Sequence, residues 1–300
     1  MLTCGRQYDI IVNLRPCQVP PTSGTTLRKF ILGDYRFQAM ETWEQINLEI
    51  GQCAMAQAGP MTLWVRRAEN EWHVFSRREP CVTRGFSFQR CDNPPENAEW
   101  ARWAAEIKTG DVRLVPAMPD RPVIVSPDVE VVIPRKCSAL FLVGIPPWIR
   151  VEVGPEPRLV VFDSPSAMLA NTWFGDQMQG TLCYSLRHAP QRSPDRLSAG
   201  RAICPVQFTN ETDKDLKFEK LCLNTDGLGV YEGEGRLWTD TVELAFREGN
   251  RPCDATCAGQ APAMAGTVRK LCEPRNPGKK QIIGQSGLGT FTSILRHSGR

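Results

Sequence analysis

Histidine is scarce in this chain, at three of 300 residues. Since histidine is the commonest general base in enzymes, its scarcity disfavours histidine-based acid–base catalysis. Long apolar runs are missing too: the most apolar uncharged one covers residues 137–149 and contains Pro146-Pro147, whereas a membrane-spanning helix needs about 20 apolar residues. The N-terminus lacks a basic leader followed by an apolar core. We therefore expect no membrane insertion, no secretory signal and a cytoplasmic location.

A strong net charge is also absent. The formal value is +3, which by itself does not indicate a nucleic-acid partner. The charge is unevenly placed, because residues 249–300 hold eight Lys and Arg against two Asp and Glu, a formal +6 that leaves −3 for residues 1–248. The sequence therefore describes a mildly acidic body with a basic C-terminal tail.

Cysteine, in contrast, is abundant, with 12 residues. In a chain without an export signal, scattered cysteines are expected to be reduced thiols and not a disulfide framework. A zinc site is the alternative for Cys253, Cys257, Cys272 and His297, because thiolate and imidazole are good zinc ligands. The later spacings are not diagnostic of zinc, and we predict no cofactor.

Short alternating runs of apolar and polar residues, separated by proline or glycine (24 of each), dominate the chain. This pattern is typical of strands. In the central part the predicted strands are Val123–Val125, Val129–Ile133, Ala139–Val143, Trp148–Val153, Arg158–Phe162, Thr181–Arg187, Ile203–Phe208, Leu216–Leu223, Gly229–Tyr231 and Thr241–Phe246. Such regular spacing predicts an all-β protein with an antiparallel β-sandwich of jelly-roll type. Residues 96–107 fit either a short helix or a strand around Trp103.

Changes in this pattern predict four segments. Residues 1–39 form an extension that we expect to be disordered, and residues 40–120 form a smaller N-terminal β unit. Residues 121–248 form the β-sandwich. Residues 249–300 are low in large apolar side chains and rich in breakers, so we expect a basic disordered tail.

The densest group of distinctive side chains lies between residues 171 and 201. Trp173 and Phe174 precede a glycine-containing turn, and Tyr184 follows on the next predicted strand. Arginines continue the group, at Arg187, Arg192 and Arg196. Aromatic and arginine side chains near turns are typical of contact surfaces. The alternative is structural: the aromatic residues close the end of the sandwich, and the arginines belong to a solvated loop.

Catalytic groupings find less support in the sequence. Cys183 and His188 are five residues apart, so on one strand they would face opposite sides. The acidic candidates are Glu152, Glu156, Asp163 and Asp176, and nothing in their spacing brings two of them together as a glycosidase would require.

A family resemblance rests on a series of motifs in order: WEQINLEIG, GPMTLWVRR, EWHVF, PDRPVIVSP, PPWIRVEVG, NTWFGDQMQGTLCYSLR, PVQFTNETD and GRLWTDTVEL. With these, the chain resembles the prokaryotic family called domain of unknown function 432, from about Trp43 to Glu248. The resemblance implies an intracellular β-rich protein of prokaryotes, encoded in some genomes beside small mechanosensitive channels. It carries over no catalytic residues.

These observations favour a non-catalytic binding or interaction module that does not bind nucleic acid. The predicted contact surface is the group from Trp173 to Arg196, and the resemblance suggests a mechanosensitive channel as the partner. The alternative is an enzyme that acts on a carbohydrate or another polar small molecule in a sandwich cleft.

Overall fold

The structure is a computed structural model that describes residues 43, 45–79, 86–96, 98–128, 130–174, 180–187, 191–198, 200–218, 220–248 and 253–277. Within these residues the regular secondary structure is almost entirely strand, with three short 3₁₀ helices and no α-helix. The all-β prediction is confirmed. None of the helices in the described part of the chain has the length and apolar character needed to span a bilayer.

In the first half the strands are β1 (Gln45–Asn47), β2 (Cys53–Ala58), β3 (Met61–Arg67), β4 (Glu71–Arg78), β5 (Phe86–Cys91), β6 (Ala101–Ala104), β7 (Asp111–Ala117), β8 (Val123–Ser126), β9 (Val131–Ile133), β10 (Ser138–Ile145) and β11 (Trp148–Val153). In the second half they are β12 (Leu159–Pro165), β13 (Ala170–Phe174), β14 (Thr181–Arg187), β15 (Ala202–Asn210), β16 (Leu216–Phe218), β17 (Leu221–Leu223), β18 (Val230–Gly233), β19 (Arg236–Thr239), β20 (Val242–Phe246), β21 (Cys253–Cys257) and β22 (Val268–Cys272). The 3₁₀ helices cover Pro194–Arg196, Thr225–Gly227 and Ala263–Ala265.

The described strands form four larger sheets and one two-stranded ladder. The N-terminal sheet has the order β5-β2-β3-β4-β6, and the bridging sheet has the order β1-β7-β11-β12. The large sheet contains β21-β20-β15-β19-β18-β22, with β10 on the other side of β15. The small sheet has the order β13-β14-β8-β17, and β9 pairs with β16. Most neighbours are antiparallel, whereas β14 runs parallel to β8, and β15 runs parallel to β19 and β20.

The N-terminal and bridging sheets face each other across one hydrophobic core. Alternation along β3 and β4 puts Leu63, Val65 and Val74 on the inner face, where they are buried. Leu114 and Val151 face them from the bridging sheet. These two sheets therefore form a β-sandwich in which each sheet buries one apolar face.

The large and small sheets form a second sandwich. Val206, Phe208 and Leu244 of the large sheet are buried against Val125 and Leu186 of the small sheet. The other face of the large sheet is covered as well: Leu197 and Ala265 pack there, in a cluster with Leu142, Ile203, Tyr231 and Trp238. The large sheet is therefore buried on both faces, which explains its apolar strands.

The predicted limit between a smaller β unit and the sandwich, at residue 120, does not match the sheets. Strand β7 lies before this limit and β11 after it, yet they pair in register from Trp148↔Ala117 to Val153↔Val112. The bridging sheet thus spans the predicted boundary, because its strands come from both sides of it.

The segment with two possible structures, residues 96–107, contains the strand β6, which pairs with β4.

The prediction of a disordered tail from residue 249 is wrong for residues 253–277. Strand β21 pairs with β20, and β22 pairs with β18. Ala265 and Leu271 are buried in the two clusters of the large sheet. The sequence pattern concealed this because β22 buries only its last two residues, so it owes its place to pairing with β18. Residues 1–42 and 278–300 lie outside the described residues.

Candidate functional site

Of the predicted contact residues, Trp173 and Tyr184 share one face of the small sheet. Trp173 lies on the edge strand β13 opposite Leu182, and two residues further along β14 lies Tyr184. Trp173 is 47% exposed, so it does not close the end of a core. Phe174 is half-buried and, by strand alternation, belongs to the opposite face. The sheet therefore splits the predicted aromatic pair.

Tyr184 lies in a row of alternating aromatic and arginine side chains. Its hydroxyl donates a 2.9 Å hydrogen bond to Asp120. The guanidinium of Arg121 lies 5.6 Å from its ring centroid, and the ring of Trp148 lies 6.5 Å away. Burial, followed by the hydrogen bond to Asp120, raises the pKa of Tyr184. Tyr184 is thus held by its neighbours inside the fold.

The predicted arginines do not join Trp173. Arg187 is exposed at the end of β14, on the face opposite Tyr184. Arg192 and Arg196 are exposed in the segment 191–198, which is fixed to the large sheet. There the backbone of Gln191 pairs with Leu142 of β10, while Arg236 of β19 bonds to Pro194 and Asp195. Four of the six predicted contact residues thus lie on the small sheet, on both of its faces, and the other two lie in the segment 191–198 beside the large sheet.

The zinc candidates are not brought together either. Cys253 and Cys257 lie on β21, whereas Cys272 lies on β22. The Sγ atom of Cys272 is 3.9 Å from Nη1 of Arg150. Nowhere in the described ranges do three or more histidine, cysteine or acidic side chains form a group that could hold a metal ion. His297 lies outside these ranges.

The cysteines within the described residues are free thiols. Burial raises the pKa of Cys53 and of Cys204 to about 12, so neither is a ready nucleophile. A hydrogen bond with Cys222 lowers the pKa of Cys183, which is fully buried on β14. His188, its partner in the dyad considered above, lies outside the described residues. The expectation that all 12 cysteines are reduced stays a prediction.

The outer face of the N-terminal sheet carries a row of aromatic and arginine side chains that the sequence analysis did not single out. The rings of Trp64 and Phe75 are stacked with centroids 5.5 Å apart, and the ring of Trp100 follows 5.9 Å from Phe75. Arg77 lies over Trp64 at 5.9 Å, and Arg66 lies over Trp100 at 5.0 Å. We call these five residues the aromatic–arginine row.

A polar chain runs beside this row. Arg66 lies 2.8 Å from Nδ1 of His73, whose Nε2 lies 2.8 Å from Glu71. Because arginine can only donate, Nδ1 accepts from Arg66, and Nε2–H donates to Glu71. Glu71 also accepts two hydrogen bonds of 2.7 Å from Arg102. These bonds, first from Arg102 and then from His73, lower the pKa of Glu71 to about 2.

A signal for the row was present in the sequence. Alternation on β3 and β4 assigns Leu63, Val65 and Val74 to the core, so the residues between them must face outward. Those residues include Trp64, which is 7% exposed, and Phe75, which is half-buried; both are aromatic where a solvated face would be polar. Their contact with Trp100 could not be read in the same way, because Trp100 precedes β6, a strand far along the chain.

Comparison with known families gives one match. The model of the family described as a protein of unknown function (DUF432) matches residues 42–291. The chain belongs to the DUF432 family. In this DUF432 protein the match continues beyond Glu248, so it includes the strands β21 and β22 that our sequence analysis placed outside the resemblance. No curated protein and no solved structure matches the chain.

Proposed function

We propose that this protein is a cytoplasmic, non-catalytic interaction module of a prokaryotic cell that binds a protein partner through the outer face of its N-terminal sheet. The aromatic–arginine row carries the proposal. Aromatic and arginine side chains are enriched at the centres of protein interfaces, and they supply most of the binding free energy there. A sheet face that only met water would carry short polar or charged side chains.

Charge on this face favours a protein over a nucleic acid. Arg77 forms an ion pair with Glu79, and Arg102 forms one with Glu71. Arg66 bonds to His73. Nucleic-acid surfaces require several cations that are free to neutralise phosphates, since this term supplies most of the affinity. Two of the three arginines here are already neutralised.

The family resemblance supplies a candidate for the partner. The resemblance implies that members of the family are encoded, in some genomes, beside small mechanosensitive channels, so we propose the cytoplasmic part of such a channel as the protein bound. This would make the protein an accessory to a membrane channel without inserting into the membrane itself.

The alternative of a carbohydrate-active enzyme requires two carboxylates that meet beside Trp173. Among the acidic candidates, Asp163 is engaged by Arg150 and Arg275. Glu156 bonds to Arg158. Asp176 lies outside the described residues. No observation on the described residues favours this alternative, so we do not propose it.

The test is affinity purification of the tagged full chain from its own organism, followed by mass spectrometry. The double variant Arg66→Ala with Trp100→Ala removes one end of the row. We expect it to weaken binding by about 2 kcal/mol or more, so that less of the partner is recovered. The matched variant Trp173→Ala with Arg192→Ala removes exposed residues of the surface predicted from sequence, and we expect it to retain the partner.

The outcomes separate the proposals. Loss of the partner only with the second variant would move the contact surface to the small and large sheets. Retention in both variants, with unchanged melting, would contradict an interaction through either surface. A stoichiometric partner other than a channel would leave the interaction module in place and contradict the channel assignment.

A further inference from the structure

A cleft of about 400 Å³ lies between the first strand of the bridging sheet and the last strand of the large sheet. Its lining comes from both sheets, with Gln45 of β1 and Arg113 of β7 on one side and Arg269 and Lys270 of β22 on the other. Arg158 and Trp43 complete the lining at the side of β1. The cleft thus depends on the placement of β22 along the bridging sheet.

The lining is strongly cationic. It contains three arginines, one lysine and no carboxylate. Neighbouring acids lie outside the lining: Glu156 bonds to Arg158, and Glu232 bonds to Arg269. Glu152 of β11 lies opposite Arg113 on the neighbouring strand β7, but the two side chains form no ion pair. The charge that meets a ligand inside the cleft is therefore positive.

Arg113 is the residue that most clearly calls for an anion. Its Nη2 donates a 2.6 Å hydrogen bond to the backbone oxygen of Leu271. Among the described residues, Arg113 forms no ion pair, although it is partly buried. A guanidinium has five N–H donors in a fixed plane, suited to two oxygens of one anion. The bond to Leu271 orients this plane and leaves most of its donors for a ligand.

The other lining groups support the same chemistry. Arg158 is held in place by the backbone oxygen of Gly154 and by Gln45, both at 3.1 Å. The ion-pair partner of Lys270 is Glu273, which is 73% exposed. Exposed ion pairs contribute little free energy, so an anion in the cleft can compete for this lysine.

We propose that this cleft binds a small molecule that carries a phosphate group. Two cations, Arg113 from one side of the lining and Lys270 from the other, suit a dianion better than a single carboxylate. A volume of about 400 Å³ is in the range of small-ligand sites and leaves room for a group attached to the phosphate. Trp43, half-buried in the lining, offers an aromatic surface for a planar group. This site is separate from the aromatic–arginine row and does not depend on it.

The experiment is isothermal titration calorimetry on the full chain in a buffer of low ionic strength, with inorganic pyrophosphate and adenosine monophosphate as separate probes. We expect saturable binding of one probe molecule per chain. Arg113→Gln and Lys270→Gln should each weaken binding by about tenfold or more. Arg247→Gln and Lys217→Gln remove the same charge from exposed ion pairs elsewhere, and we expect each to change the dissociation constant by less than about twofold.

The two probes distinguish the sources of the phosphate. If adenosine monophosphate binds more tightly than pyrophosphate, and Trp43→Leu loses this binding while it retains pyrophosphate binding, the ligand is a nucleotide. If the two probes bind equally, the ligand is a free phosphate group. If Arg113→Gln loses cooperative unfolding, the test rests on Lys270→Gln alone. The side chain of Lys270 is 39% exposed, so we expect this variant to fold. The proposal is overturned if neither probe binds, or if the two control variants weaken binding as much as the cleft variants do.

Discussion

Arg275 donates hydrogen bonds to both carboxylate oxygens of Asp163, over N–O distances of 2.6 and 2.8 Å. Arg150 of β11 donates to the same carboxylate, and the guanidinium of Arg275 lies 4.9 Å from the ring centroid of Trp148. Arg275 follows β22 and belongs to the tail that the sequence predicts to be disordered. This contact therefore ties the end of the described chain to β12, the last strand of the bridging sheet.

A chain that ends after Glu248 should lose cooperative unfolding, whereas one that ends after Pro277 should keep it. The shorter chain lacks Leu271 and Ala265, which are buried, and it leaves Asp163 with one arginine in place of two. Thermal melting followed by circular dichroism measures the difference. Equal melting of the two chains would contradict the structural role of β21 and β22.

Within the full chain, Arg275→Ala should lower the free energy of unfolding by about 1–3 kcal/mol, because hydrogen bonds between charged, partly buried groups are lost. Arg247→Ala is the control, since its ion pairs with Glu211 and Asp254 are half-exposed and therefore contribute little to stability. Urea denaturation of both variants measures the comparison. A loss no larger in Arg275→Ala than in the control would show that the contact is unimportant for stability.

Tyr184 should ionise above the ordinary tyrosine range, because its pKa is raised by burial and then by Asp120. A raised tyrosine pKa contributes stability that is fully present below about pH 10 and is lost as the pH rises through the folded value. Absorbance titration at alkaline pH should show one fewer late-ionising tyrosine in Tyr184→Phe. Asp120→Asn should move the pKa of Tyr184 down without restoring the ordinary value, since burial remains. An unchanged titration in both variants would contradict the role of Asp120.

Trp173→Ala should change the free energy of unfolding by less than about 1 kcal/mol, because nearly half of the side chain is exposed on an edge strand. Trp238→Ala is the matched variant: Trp238 is 1% exposed and donates a 3.1 Å hydrogen bond to Gly233, so about 3–5 kcal/mol should be lost. Chemical denaturation measures both. A large loss of unfolding free energy in Trp173→Ala would show that Trp173 has a structural role and is not part of a contact surface.

Gly110→Ala should strongly destabilise the fold. A Cβ atom at residue 110 would lie 1.9 Å from the backbone oxygen of Leu48, whose N–H bonds to the oxygen of Gly110. Backbone cannot move aside as a flexible side chain can, so we expect a loss of about 1–3 kcal/mol or more. Gly229→Ala is the control, because its nearest atoms would lie at ordinary contact distance, 3.4 Å. Equal melting temperatures for the two variants would contradict this packing.

Much of the local structure could be predicted because strand alternation is a local property. The predicted strands Trp148–Val153 and Thr181–Arg187 have the bounds that the structure shows. In each case a strand that buries one face must place apolar residues at every second position, and that period can be read without knowing the partner strand.

Strands with weak alternation were missed. Strand β19 (Arg236–Thr239) is buried on both faces within the large sheet, so its residues do not alternate. Strand β22 presents three exposed residues and buries only Leu271 and Cys272. For such segments the sequence pattern is uninformative, and pairing with a neighbour decides the structure.

The sequence by itself determined the all-β class, because period-two burial is encoded residue by residue. Only the tertiary structure decided which strands are neighbours, since that choice depends on contacts between residues far apart in the chain. It placed Trp173 on the small sheet and Arg192 in the segment that lies beside the large sheet, set Arg113 of β7 beside Leu271 of β22, and brought Arg275 onto Asp163. Each of these relationships joins residues whose local sequence carries no information about the other, so the candidate sites appear only when the sheets are assembled.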